Sequence, residues 1–441
     1  VNTAVSVQHD AAQTSSPTSF DGFPLSDAMR AALNKADYHI PTPIQAATIA
    51  HALAGRDVIG AAQTGTGKTA AFLVPIVERL RGGQYGRNAT AVILAPTREL
   101  AEQIHEWAQR LGPGLRTALV VGGVAYGPQL QALRQRPAIV VATPGRLVDH
   151  LDRRTLDLRT VGVFVLDEAD RMLDMGFKPQ LDRIMRDLPA QRQTLLFSAT
   201  MPPDLGALAR MHLRDAARVS VGPLATPPVR ATQDVYLVDA NSKTPLLLSL
   251  VVSNPGNVLV FARTKHRTDR ITRALCAAGH RAQRLHSNRS QAQRREALDG
   301  FRRGRYRILV ATDIASRGID VVGIARVINY DLPQTVEDYV HRVGRTARAD
   351  AAGHASSFAA PEEHGQLRAI ERHIGTALAR QGHAEGGAAS EARSHAAPSK
   401  GKDLRGRREG RAFDGTRLEG AALRRSRRAQ AERRTQGGRR G

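Results

Sequence analysis

From Asp57 to Ser220 the chain alternates short, almost wholly apolar runs with longer amphipathic stretches. The runs are DVIGA, AVILAPT, TALVVGG, AIVVATP, VGVFVLDEAD, QTLLFSAT and ARVSVG, most of them closed by Gly, Pro, Thr or Asp. Runs of this length without polar alternation predict strands buried on both faces of a parallel sheet, with helices between them. The segment GPLATPPVRATQ then breaks the pattern with three prolines and no apolar stripe, which predicts a linker. The alternation restarts in DVYLVD, NVLVFART, RAQRLHS, RILVATD and ARVINYD, and predicts a second α/β domain of similar build. The expected organisation is a flexible polar arm over 1–19, a first domain over 20–222, a linker over 223–233 and a second domain over 234–380. The last stretch, 381–441, is too rich in Ala, Gly and Arg to bury a core and is expected to be disordered.

Charge narrows the class of partner. The 441 residues carry 64 Lys and Arg against 41 Asp and Glu, a formal charge of +23. Such an excess raises the surface potential and speeds encounter with polyanions, so nucleic acid is the first candidate. Residues 381–441 alone hold 16 Lys and Arg against 7 Asp and Glu, a balance of +9. No apolar run approaches the length of about 18 residues that a membrane span needs. The first residues, VNTAVSVQHDAAQTSSPTS, have neither the basic start nor the apolar stretch of a secretory signal, which places the expected site of action in the cytoplasm. The one cysteine, Cys276 in ITRALCAAGH, rules out a disulfide framework and a Cys-based zinc site, and is expected to be a buried, inert thiol.

Two motifs carry chemistry by themselves. AQTGTGKT, comprising Ala62, Gln63, Thr64, Gly65, Thr66, Gly67, Lys68 and Thr69, follows the strand DVIGA and precedes the helical stretch AAFLVPIVERL. Strand, Gly-rich loop and helix are the context of a phosphate-binding loop: backbone N–H groups cradle phosphates, Lys68 reaches the β and γ groups, and the Thr69 hydroxyl ligates Mg2+. VGVFVLDEAD ends a buried strand in carboxylates, which is costly unless a cation or solvent meets them. Asp167 is then the second Mg2+ ligand, and Glu168 orients and deprotonates the attacking water.

The tetrapeptide Asp167-Glu168-Ala169-Asp170 and a series of further motifs in order closely resemble the DEAD-box RNA helicases over roughly residues 20–375. The resemblance implies two tandem RecA-like parallel-sheet domains and RNA-dependent hydrolysis of ATP. It makes YHIPTPIQ the adenine-sensing motif, with Gln45 on the adenine edge and Phe20 stacked on the base. An amide suits that edge because it presents a donor and an acceptor together. It makes Pro96, Thr97 and Arg98 of PTRELA, Gly123 of the Gly122-Gly123 pair, and Thr143, Pro144, Gly145 and Arg146 of TPGR contacts to the RNA backbone. Small residues with a cation at strand ends suit phosphates and sugars rather than base edges, which implies sequence-blind binding. SAT, with Ser198 and Thr200, is implied to couple the DEAD strand to closure, together with His341.

In the second domain, Arg263, Thr264, Thr312 and Asp313 are implied near RNA and Asp320 near the ribose. HRVGRTAR resembles the arginine-finger helix, and the spacing of Arg345 and Arg348 predicts two guanidinium groups on one helical face aimed at the γ-phosphate. The chain departs from the family pattern at Asp37, Ser287 and Ala347, each standing where glycine is usual, and a shifted loop is expected at each. Trp107 and His286 read as structural. The basic tail and motif wording resemble the bacterial RhlE-like branch. The implied protein is a monomer that unwinds short RNA duplexes, in ribosome assembly or RNA turnover. Two rivals are a DNA helicase of the same superfamily, which would lack YHIPTPIQ, and an ATP-gated RNA clamp or annealing chaperone that leans on its tail.

Overall fold

Each of the strand runs becomes a strand, and all pair in parallel. The computed structural model describes residues 19–62, 65–82, 90–221, 231–313, 323–347 and 353–381. All of these belong to one unit of the chain. The arm, the linker residues 222–230 and the tail beyond Gln381 lie outside the described residues.

The first sheet contains β1 (Val58–Ala62), β2 (Thr90–Leu94), β3 (Thr117–Val120), β4 (Ile139–Ala142), β5 (Val161–Leu166), β6 (Gln193–Ser198) and β7 (Ala217–Val221). The second contains β8 (Ala231–Leu237), β9 (Asn257–Phe261), β10 (Ala282–Leu285), β11 (Ile308–Ala311), β12 (Ile324–Asn329), β13 (Gly353–Ala359) and β14 (Ala379–Gln381). The spatial orders are β3-β4-β2-β5-β6-β1-β7 and β10-β11-β9-β12-β13-β8-β14, the same path traced twice. Two apolar clusters cover the faces of each sheet, one built around Phe72, Val163 and Phe197 and its opposite around Phe164 and Leu196 in the first, with Phe261 and Phe301 or Tyr330 and Phe358 in the second. Because the central strands are buried on both faces, their runs are continuous rather than alternating.

Four expectations need correction. The linker is shorter than 223–233, because Ala231, Thr232 and Gln233 already belong to β8 and pair with Gly353, His354 and Ala355. Gln381, assigned to the tail, is the last residue of β14 and pairs with Tyr236. The strand β13, GHASSFA, was absent from the predicted set: its centre is Ser356-Ser357, both fully buried, and the Ser357 hydroxyl accepts from the Asn329 amide at 3.1 Å. A partnered hydroxyl such as that of Ser357 lets a polar residue occupy an interior strand. Cys276 is exposed rather than buried, on the outer face of the helix Lys265–Ala277, with Sγ 3.6 Å from the Ala282 carbonyl. Trp107 packs edge-on against Tyr38 at 5.3 Å, and buried His286 meets Asp269 at 3.1 Å. No helix among the described residues is long and apolar enough to cross a membrane.

Candidate active site

The chemistry-bearing residues gather at the carboxyl ends of the strands, where open α/β sheets bind ligands. After β1 the loop turns through Gly65 and Gly67, at φ 87° and 92°, and enters the helix Lys68–Arg81. Gly67 has a second reason to be glycine, since a Cβ there would sit 2.5 Å from the Gln45 amide nitrogen. Lys68 is the first helical residue, is 6% exposed, and donates to the Ala62 carbonyl at 2.9 Å; Thr69 follows it, half-buried. Gln63 and Thr64 lie outside the described residues.

Asp167 and Glu168 leave the end of β5. Burial raises the Asp167 carboxyl to about 7 against the pull of Lys68. Burial would raise Glu168 as well, but Arg171, Arg345, Lys68 and His341 surround it and hold it at about 2. Glu168 is therefore a fixed carboxylate, braced by Arg171 at 3.2 Å, and its backbone is left-handed at φ 52°, an uncommon conformation for a non-glycine residue. Asp170 binds SAT directly: its Oδ2 accepts from Ala199 N, Thr200 N and Thr200 Oγ1 at 3.2, 2.8 and 2.8 Å, while Ser198 Oγ donates to Thr200 O at 2.6 Å. Among the described residues no cluster of three or more His, Cys, Asp or Glu could cage a metal. Thr69 and Asp167 offer two hard oxygens, which fits an ion that keeps waters and takes further ligands from phosphates, as Mg2+ does.

The second sheet completes this site. His341, on the helix Val336–Val343, is half-buried by surface area but tightly packed around its ring, and desolvation with Arg171 beside it pushes its imidazole down to about 4; Asp170 and Glu168 also face it. Arg345 is in electrostatic range of Glu168 from the other half of the molecule. Its predicted setting needs correction: the helix ends at Val343 with Gly344 as its cap, so Arg345 lies on the following turn, its Nε donating to the His341 carbonyl at 3.2 Å. Helical spacing therefore does not align it with Arg348, which lies outside the described residues together with Asp320. At two of the three departures from the family pattern the backbone is one that glycine enters most freely: Asp37 and Ala347 adopt left-handed φ of 63° and 54°, while Ser287 shows no such angle.

On the adenine side, Gln45 is fully buried and committed to the protein at both ends of its amide. Oε1 accepts from Thr42 N at 2.9 Å, and Nε2 donates to Gly67 O at 3.0 Å. It thus ties its own helix start to the phosphate loop. Phe20 is 5% exposed and packed against Phe23 and Tyr38, a core position rather than an open stacking face.

The proposed RNA residues line the same strand ends. Thr97 caps the helix Arg98–Leu111 after Pro96, and the Arg98 guanidinium lies over Gly122-Gly123, where a Cβ on Gly123 would collide with it. Thr143 and Pro144 start the helix Pro144–Asp152; Gly145 follows, and Arg146 donates to Val124 O at 3.2 Å. In the second half Thr264 caps the helix Lys265–Ala277, Thr312 N donates to Leu285 O, and Arg263 pairs with Glu363 at 2.7 Å. The Asp313 carboxylate takes both arms of buried Arg342, at 2.6 and 2.7 Å, and so also orders the protein.

The comparisons agree with this geometry. The family model described as DEAD/DEAH box helicase matches residues 42–208, and that described as helicase conserved C-terminal domain matches 242–350. A DEAD-box ATP-dependent RNA helicase, CshA of Bacillus licheniformis, is 44% identical over 357 residues, 80% of this chain and 73% of that protein. The chain belongs to the DEAD-box family of ATP-dependent RNA helicases. Listeria monocytogenes CshA, at 42% over 80% of this chain and 68% of its own, agrees. Among solved structures, S. cerevisiae Dbp5 bound to RNA and ADP BeF3 superposes with a TM-score of 0.74 at 29% identity, over 83% of this chain and 96% of that one. Mss116p bound to ssRNA and AMP-PNP gives 0.75 at 29% identity, over 82% and 78%.

Sequence reading missed several residues that make contacts in or near this region. Arg171, Arg342, Glu102, Gln291, Arg294 and Arg295 are ordinary charged or amide positions on helices, and only the fold brings them to their partners.

Proposed function

We propose that this chain hydrolyses ATP when RNA joins its two sheets, and uses the cycle to separate short RNA duplexes. The observation that carries the reading is the chain of contacts from the nucleotide to the second half: Glu168 and Asp170 on one side, Ser198 and Thr200 behind them, and His341 and Arg345 facing them. ATP is bound by the phosphate loop with Lys68 and Thr69. Glu168, held ionised, orients the attacking water and receives its proton. Arg345, with Arg348, stabilises charge on the transferring phosphoryl group, an effect worth about 10³ to 10⁵ in rate in related systems. When bound through Thr69 and Asp167, Mg2+ would supply charge neutralisation at the phosphates.

RNA lies over Arg98, Gly123, Thr143, Arg146, Arg263, Thr264 and Thr312, read by its backbone. The basic tail adds an electrostatic tether that raises the local RNA concentration. The protein acts as a cytoplasmic monomer, and sequence-blind gripping suits it to ribosome assembly or RNA turnover. The test compares ATP hydrolysis without nucleic acid, with RNA and with single-stranded DNA, alongside displacement of a short RNA duplex. Strong stimulation by RNA alone with ATP-dependent displacement is expected; equal stimulation by DNA, or displacement without hydrolysable nucleotide control, would refute the reading.

A further inference from the structure

At the carboxyl ends of the second sheet five charged side chains form a row of alternating sign. Arg267 Nη1 lies 2.5 Å from Asp331 Oδ1, and the same oxygen lies 4.0 Å from Lys243 Nζ. Lys243 Nζ lies 2.7 Å from Glu363 Oε2, and Glu363 Oε1 ends the row on Arg263 Nη2, also at 2.7 Å. The inner three are nearly sealed from solvent, with side chains 1% exposed at Asp331, 5% at Lys243 and 11% at Glu363. The outer two, Arg263 and Arg267, are 40% and 38% exposed.

The two carboxylates hold their arginines differently. Asp331 accepts from the protein at both oxygens, the Arg263 backbone N–H at Oδ2 and the Arg267 guanidinium at Oδ1. Glu363, at the end of the turn Pro361–Glu363 after β13, is divided. Its Oε2 is fixed from within by Lys243 Nζ and by Ala360 N at 3.1 Å, while its Oε1 accepts from the half-exposed Arg263. If Arg263 leaves, Glu363 keeps a cation and a backbone N–H. The outer bond can therefore break without stranding an unpaired carboxylate, the outcome that makes most buried ion pairs hard to open.

We propose that Glu363 is a rival of RNA phosphate for Arg263, and that its charge sets how much RNA the second half needs. Carboxylate and phosphate oxygens take a guanidinium by the same charge-assisted bonds, at about 2.7–2.9 Å. An RNA phosphate arriving at Arg263 either displaces Glu363 Oε1 or shares the guanidinium with it. Displacement gives up a bond already made, and sharing sets two anions side by side, so both lower the affinity. Because Arg263 is half-exposed, the pair is weak enough to exchange. A brace that merely aimed Arg263 at RNA would act with the opposite sign, since its loss would weaken binding. The rivalry rests on the proposed function, which puts RNA on Arg263.

The test uses the full chain and two readouts, the RNA concentration giving half-maximal ATPase and equilibrium binding of single-stranded RNA with a non-hydrolysable ATP analogue. Glu363→Gln leaves an oxygen for Lys243 and removes the charge. It should lower the half-saturating RNA concentration about fivefold and leave the rate at saturating RNA within about twofold. Log affinity should also fall more steeply with log salt, by about 0.7, the counterion release of one further single-strand phosphate. Arg263→Ala should raise the half-saturating concentration, and adding Glu363→Gln to it should move that value by less than about twofold, because the contested cation is gone. Unchanged or raised half-saturation in Glu363→Gln, or an equal gain on the Arg263→Ala background, overturns the rivalry. Native RNA dependence in Arg263→Ala alone would overturn the placing of RNA on Arg263, and the rivalry with it. A native protein that RNA does not stimulate would instead overturn the function on which both rest.

Discussion

The two sheets follow the same strand path, yet their first strands end in opposite ways. After β1 the loop passes through two left-handed glycines to Lys68, whose ammonium has a backbone carbonyl as its bonded partner. After β8 the chain passes through VDANS, with no glycine, to Lys243 at the same place, the first residue of the helix Lys243–Val252. Lys243 is as deeply buried as Lys68, but two carboxylates neutralise it: Glu363 Oε2 at 2.7 Å and Asp331 Oδ1 at 4.0 Å. Asp331 lies two residues beyond β12, the strand that holds the place of β5 in the second sheet, and Asp167 directly follows β5, so a lysine and an aspartate recur at similar places in both halves. Burial would raise the Glu363 carboxyl, but the Lys243 bond, with Ala360 N and Arg263, keeps it below the usual range. Where one lysine bonds a backbone carbonyl, the other is closed by a built-in anion. Function therefore separates two like folds at one loop and one carboxylate.

Substituting the two lysines tests that contrast most severely. Lys68→Met should lower ATP turnover by roughly 10²- to 10³-fold, as loss of one strong electrostatic partner of a developing charge does, with the folded state retained. Lys243→Met should leave turnover within about threefold at a permissive temperature and instead destabilise the second half by roughly 2–3 kcal/mol, the cost of stripping a charged hydrogen-bond partner. Turnover assays and thermal unfolding of both variants read this out, and a turnover loss equal to that of Lys68→Met would erase the distinction.

A smaller effect is expected at Gln45, which braces the phosphate loop in the first half through Gly67. Gln45→Leu should raise the ATP concentration for half-maximal hydrolysis about five- to twentyfold, equivalent to about 1–2 kcal/mol, and narrow the preference for ATP over GTP. Equal discrimination in the native and variant proteins would confine Gln45 to bracing.

The smallest effect is a gain. Ala347 holds a left-handed backbone angle beside Arg345, and Ala347→Gly should relieve part of a strain of about 1–2 kcal/mol, offset by the greater freedom of glycine in the unfolded chain. A rise of a few degrees in the unfolding midpoint is the expected result. Asp37→Gly should gain less, because aspartate tolerates that region better than alanine.

What the sequence made legible was local. AQTGTGKT, VGVFVLDEAD and SAT each keep their chemistry within one strand and the turn after it, so the strand ends and their carboxylates could be read directly. Contacts that depend on two distant helices were invisible: Glu102 and Arg295 read as solvated charges until their helices meet, and Lys243 has no loop motif to mark it. The strand β13 was hidden by its two central serines, polar residues at fully buried positions. The arginine-finger helix was misread because periodicity at Arg345 and Arg348 says nothing of a helix that has already ended at Val343. Gln45 was assigned to one partner, the adenine; its two bonds here go to Thr42 N, at the start of its own helix, and to Gly67 O in the phosphate loop.

The central claim is that Glu168 is held as a carboxylate by Arg171 and Lys68 of its own half and by Arg345 of the other, and that gripping RNA and hydrolysing ATP are separable. Glu168→Gln tests it most directly, because it keeps the shape and removes the charge that Arg171, Arg345, Lys68 and His341 surround. With RNA binding and ATP hydrolysis measured on the same preparation, hydrolysis should fall by at least about 10²-fold, while RNA remains bound in the presence of ATP at close to native affinity. Near-native turnover, or loss of ATP-dependent RNA binding together with hydrolysis, would contradict the account.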